Sequence, residues 1–213
     1  MAAYLALYEE KLNGPLRVQR SAAPRALFVH GGEIDIECEE GRVVMQAGAC
    51  RLFESSTEML GTGTVWSFEI GAGSVSQLSG ARESSLVLAH DLALDPTRPM
   101  VFRCDRVDFP PGACTPRHGH KGSGIRRLIH GLLMAEVGNE WRRLGAGDAW
   151  FESGLDPVVG RNLADSSAFV RAMVLPERLH GRPTFVPWDD QEAGKPRGTQ
   201  RTEFFDAVVR IGG

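Results

Sequence analysis

This chain has no GxSxG elbow, no phosphate-cradling G-x4-GK[ST] loop and no strand-borne GxGxxG. Serine-hydrolase, P-loop and dinucleotide-binding chemistry are set aside on that ground. Gly61-Thr62-Gly63 and Gly71-Ala72-Gly73 read instead as β-turn glycines. Cysteine is scarce: Cys38, Cys50, Cys104 and Cys114 stand at unrelated spacings with no CxxC, so free thiols are expected rather than disulfides. No apolar run approaches the length of a membrane span, and acidic Glu9-Glu10 argue against a signal peptide at the start. Basic residues do not gather into a stripe, and the formal net charge is −3, so nucleic acid is not an expected partner. A soluble cytoplasmic protein with a small-molecule ligand is the expectation.

With 213 residues and 42% hydrophobic content, the chain can bury a sizeable core. Glu33 to Cys38 alternates charged and apolar residues, and Thr64 to Ile70 places Trp66, Phe68 and Ile70 on one side. Both patterns are those of strands. Ser85–Ala89, Ala168–Leu175 and Phe204–Ile211 add further β-rich runs, separated by glycine- and proline-bearing turns. Tyr4 to Leu12 alone reads as helical, ending at Asn13-Gly14-Pro15. The fold class expected is all-β, with a short N-terminal helix.

The sequence also repeats itself. Phe28-Val29-His30-Gly31 matches Leu128-Ile129-His130-Gly131, and Ala47 to Ser55 matches Ala146 to Ser153 with one residue deleted. His30 and His130 would then sit at equivalent hairpin corners, with a turn role. Trp66, Trp150, Phe151 and Phe53 read as packing residues, and Asp148 as the start of a turn.

His118 and His120 carry the strongest chemical signal. Side chains two apart share a strand face, and imidazole is a common metal ligand, so an HxH pair reads as half of a metal site. Gly112, His118, His120 and Gly131 fit the pattern G-x5-H-x-H-x3,4-E-x6-G in register, with Gly124 where the glutamate is expected. Gly147 and Asn162 fit the ends of G-x5-P-x-G-x2-H-x3-N, with Ser153, Leu155 and Val158 at its proline, glycine and histidine. These two motifs resemble those of the cupin superfamily, and the repeat makes the resemblance one to a bicupin over roughly residues 20 to 190.

The resemblance implies two double-stranded β-helix barrels: a repeat over 1–95 that lacks HxH, a second over 96–190 that carries it, and an extension over 191–213 packing on a sheet. It also implies a divalent transition metal at His118 and His120, iron first, with manganese, zinc and nickel as alternatives. A third ligand is open among Glu152, Asp156, Cys114 and His90. Dioxygenase, isomerase or lyase chemistry on a small organic molecule is implied; a non-catalytic binder with a vestigial metal site is the other reading. A homodimer is expected on family habit. Counting by twos from Gly124 sends Arg126 to the same interior face, where a guanidinium needs an anion, so Arg126 is a candidate substrate-binding residue.

Overall fold

The computed structural model describes residues 2–73, 75 and 84–211. It divides into two compact units, Met1–Met100 with Val209–Gly213, and Val101–Val208. Strand dominates both. Among the described residues, no helix is long and apolar enough to cross a membrane.

The first unit holds β1 (Ala3–Arg20), β2 (Arg25–Cys38), β3 (Gly41–Gln46), β4 (Cys50–Phe53), β5 (Thr57–Ala72) and β6 (Ser84–Leu92). They form one sheet in the order β3-β2-β5-β1-β6, with β4 also paired to β2. The helix expected over Tyr4–Leu12 is not there: those residues belong to β1, which pairs antiparallel with β5 on one edge and β6 on the other. Ala, Leu, Glu and Lys favour helix locally, but a period of two is hidden in the same run. Tyr4, Ala6 and Tyr8 pack in one cluster while Leu5 and Leu7 are buried on the alternate positions, and tertiary pairing overrides propensity. Gly61 and Gly63 likewise lie inside β5 rather than at a turn. A Cβ on them would meet Glu33 O at 2.4 Å and Gly31 O at 2.1 Å, so glycine is demanded there by strand proximity.

The second unit holds β7 (Met100–Phe109), β8 (His118–His120), β9 (Ser123–His130), β10 (Leu132–Val137), β11 (Glu140–Gly145), β12 (Ala149–Glu152), β13 (Val158–Asn162), β14 (Ser167–Pro176), β15 (Phe185–Pro187) and β16 (Gln200–Val209). Among the described residues its helices are one 3-10 turn at Glu177–Leu179 and α1 (Asp190–Ala193). The strands make two five-stranded sheets, β11-β10-β13-β8-β15 and β12-β9-β14-β7-β16. Leu133, Ala135 and Leu144 from the first sheet pack with Phe109, Leu128, Trp150 and Phe169 from the second in one buried cluster. A sheet-on-sheet barrel results.

The two units repeat each other over β2–β4 and β9–β12, in a register that agrees with the sequence match of Ala47-Gly48 to Ala146-Gly147 and differs by one residue from that of Phe28–Gly31 to Leu128–Gly131. Gly48 N–H bonds Val29 O at 2.8 Å, and Gly147 N–H bonds Leu128 O at 2.8 Å. Gly32 and Gly131 match too, at φ of 85° and 88°, and so do Gly48 and Gly147 at 88° and 89°. No deletion is needed, and His30 therefore corresponds to Ile129 and not to His130. In this register β2 matches β9 and β10, β3 matches β11, and β4 matches β12. All four cysteines are free thiols.

Candidate ligand pocket of the second unit

The HxH pair sits on β8, a strand of three residues held between β13 and β15. Asn162 fixes the loop that leads to it. Its Nδ2 donates to Phe109 O (3.1 Å) and Pro110 O (2.8 Å), and its Oδ1 accepts from Ser167 Oγ (2.7 Å). This motif asparagine is therefore a clamp between two loops.

His118 and His120 are 6% and 8% exposed, with ring centroids 4.9 Å apart. His118 Nδ1 lies 2.8 Å from Pro116 O, so Nδ1–H is the donor and Nε2 keeps its lone pair. Its ring stacks on Phe185 at 4.3 Å. Burial pushes the His118 imidazole below its ordinary range and that of His120 down to about 4, only partly opposed by Glu152. Both rings are neutral at pH 7.

Glu152, at the end of β12, is the centre of the polar cluster. Trp150 Nε1 donates to Oε1 at 2.9 Å, Arg126 Nη2 stands 2.6 Å from Oε2, and His120 Nε2 stands 3.3 Å from the same oxygen. Burial alone would raise this carboxyl, but the Arg126 guanidinium and the donors from His120 and Trp150 hold it far below the usual carboxylate range. Arg126 is fully buried and its Nη1 donates to Gly124 O at 2.6 Å. Desolvation brings its pKa down to about 10, so it remains charged. Arg127 points the other way, Nε donating to Gly147 O at 3.0 Å.

These groups line a cavity of about 160 Å³. Its apolar wall includes Val107, Phe109, Leu133, Val158, Phe169 and Phe185. Three arginines beyond Arg126 also line it, and the motifs pointed to none of them. Arg171 makes a fork onto Asp105, which also accepts from Arg201 Nε at 2.7 Å. Arg201 reaches Glu203 as well. Arg197 is exposed at the rim, its guanidinium carbon 4.1 Å from the Phe185 ring centroid. Four guanidiniums thus meet three carboxylates, and Arg197 has no carboxylate partner among the described residues. Arg171 carried a readable signal, as the lone charge in the apolar run of β14. Arg197 carried none, because its place depends on how the C-terminal segment folds back.

The cavity does not fit a resident metal ion. Gly124 and Val158 supply no donor where the motifs expect glutamate and histidine, and a Cβ at Gly124 would meet Ala172 O at 2.4 Å. Of the open third ligands only Glu152 reaches the cavity, and its Oε2 is already held by Arg126. Asp156 accepts from Ser153 Oγ at 2.7 Å, Cys114 Sγ lies 3.5 Å from Thr115 O, and His90 is on β6 of the first unit. Among the described residues, no three His, Cys, Asp or Glu side chains are grouped to hold a metal.

The first unit has no such cavity chemistry at the matching positions. In the common register Leu27 stands for Arg126 and Phe53 for Glu152. Met59 stands for Val158, and the strand partners of those two are Val18 and His118. Leu27, Phe53, Met59 and Val18 all lie in one apolar core.

A duplicated all-β barrel with a polar, arginine-lined cavity in one copy is thus the class the structure defines. Solved structures give it a name. Lactobacillus farciminis oxalate decarboxylase matches with a TM-score of 0.59 at 12% identity, over 92% of this chain and 78% of that one. Salicylate 1,2-dioxygenase from Pseudaminobacter salicylatoxidans matches at 0.55 and 13%, over 80% and 71%. A cupin 2 conserved barrel domain protein from Leptotrichia buccalis matches at 0.52 and 12%, over 81% and 84%. The chain has the cupin fold, in its duplicated bicupin form. No protein-family model matches the sequence, and no curated protein matches it.

Proposed function

We propose that the second barrel binds a small organic anion, with a flat apolar body and one carboxylate, without a metal ion. The observation that carries this reading is the Arg197 guanidinium, which lies over the Phe185 ring at the rim of the cavity and has no carboxylate partner among the described residues. The volume, about 160 Å³, is close to that of an apolar cavity that accepts benzene, about 150 Å³. An aromatic or short aliphatic carboxylate therefore suits the apolar wall, and a guanidinium fork suits its head. His118 Nε2, as a lone pair in the wall, can accept a hydrogen bond from a ligand hydroxyl. Two of the structural neighbours are named for salicylate and oxalate, both small carboxylates.

Thermal shift and calorimetry with benzoate, benzamide and benzylamine test this reading. Benzoate should stabilise the protein where the neutral and cationic analogues do not. Losing a charge-assisted hydrogen bond, about 1.5–3 kcal/mol, should make Arg197→Ala roughly ten- to a hundredfold weaker for benzoate. Equal responses to benzoate and benzamide would end the proposal.

A metal-dependent dioxygenase, isomerase or lyase is the second reading. What favours it is the convergence of two neutral imidazoles at 4.9 Å in one cavity. Metal content of untagged protein, purified after iron or manganese supplementation, decides between the two.

A further inference from the structure

The buried guanidinium of Arg126 holds a particular place. It bridges Gly124 O, at the motif's empty glutamate position, and Glu152 Oε2, each at 2.6 Å. The same carboxylate oxygen lies 3.3 Å from His120 Nε2. Two ligands on one metal, each bonded at about 2.0–2.2 Å, stand about 3.3–3.5 Å apart in tetrahedral geometry. Glu152 and His120 are thus already spaced as two ligands of one ion, and the cation beside them is an arginine. A dication in the same place would have to take Glu152 from Arg126 and leave the buried guanidinium without its counter-charge. The first unit gives independent support: its matching positions, Leu27 and Phe53, are both apolar, so the arginine and the glutamate stand together in one copy and are both absent from the other.

We propose that Arg126 is the resident cation of this pocket, neutralising Glu152 in place of a metal and excluding metal from the wild-type protein. Removing its charge leaves Glu152 Oε2 and His120 Nε2, 3.3 Å apart, as a pair of donors free to take an added dication, with His118 beside them in the cavity wall. Imidazole and carboxylate donors with open positions suit iron(II) and related transition metals. The inference rests on the metal-free reading of the pocket; metal in the wild type would end both, whereas the metal content of the Arg126 variants tests this inference alone and benzoate binding tests the ligand alone.

The test uses the full chain without a histidine tag, as wild type, Arg126→Met, Arg126→Gln, Arg126→Lys, and Arg126→Met combined with His120→Ala. Methionine keeps volume without charge, and lysine keeps charge without the fork. Each protein is incubated anaerobically with cobalt(II), desalted, and measured for metal content and for ligand-field absorption. Wild type and Arg126→Lys should retain below about a tenth of an equivalent, and Arg126→Met and Arg126→Gln about one, lost again with His120→Ala. If the neutral variants fold only with metal, cobalt(II) should restore their cooperative melting; failure of that rescue counts against the proposal. Near-stoichiometric metal in wild type, or none in a folded neutral variant, overturns it.

Discussion

Arg171 grips Asp105 with two parallel bonds, Nε to Oδ1 at 2.9 Å and Nη2 to Oδ2 at 2.8 Å. Asp105 is wholly buried on β7, Arg171 is buried on β14, and Arg201 on β16 adds a third bond to the same carboxylate. Burial would raise the Asp105 carboxyl, but the two guanidiniums hold it below its ordinary range.

Asp105→Asn should therefore be costly, because it leaves Arg171 buried without a counter-charge. Breaking one side of a buried pair costs about 3–5 kcal/mol, whereas replacing both partners by apolar groups of similar volume is often near neutral. Denaturant unfolding should show that loss for Asp105→Asn and a smaller one for Asp105→Leu with Arg171→Met. Equal losses would mean that the pair matters through shape and not through charge.

Acid should weaken the second unit in two steps. His120 is depressed from the usual histidine range to about 4, so the unfolded chain takes up its proton first as the pH falls. Stability from that group is full above the unfolded pKa of about 6.5 and is lost on the way down to about 4, on the order of 3 kcal/mol. Glu152 and Asp105, both lowered, add stability above the unfolded carboxyl range and lose it at still lower pH. His120→Gln should flatten the pH dependence of unfolding between about 6.5 and 4. An unchanged slope in that variant would assign the acid sensitivity elsewhere.

Asn162→Ala should loosen the approach to β8, although Asn162 does not itself line the cavity. It strips donors from Phe109 O and Pro110 O and an acceptor from Ser167 Oγ, and unsatisfied buried groups cost about 1–3 kcal/mol each. Hydrogen exchange should quicken in the loop over 110–117 before it does in β9 or β14. Uniform destabilisation would show that the clamp is not local.

How much of this was legible depended on whether a feature repeats with a period or is assembled from a distance. Ile34 and Ile36 on β2 announced a strand by alternation, and the HxH pair with Gly112 and Gly131 announced the cupin fold by spacing. Tyr4–Leu12 misled because helix formers occupy a strand paired on both edges. Arg126 was legible as an inward-facing charge, by counting from Gly124. Its partner was not, since Glu152 reaches it through the pairing of Trp150 with Arg126 on neighbouring strands. Arg197 and Phe185 come together only through the fold of the C-terminal segment, which no local period encodes.

The missing motif glutamate gives the last prediction. Restoring it looks like the direct route to a metal site, yet β9 has no room for any side chain at Gly124. A Cβ there would lie 2.4 Å from Ala172 O and 3.1 Å from Met173 Cα on the paired strand β14, both backbone atoms that cannot swing aside. Overpacking of this kind costs about 1–3 kcal/mol, occasionally more. Gly124→Ala should lower the unfolding midpoint by that much, and Gly124→Glu by at least as much, without gaining metal. A Gly124→Glu protein that melts like wild type and takes up about one equivalent of iron would show that β9 and β14 separate freely, and would return the ligand role to the motif position.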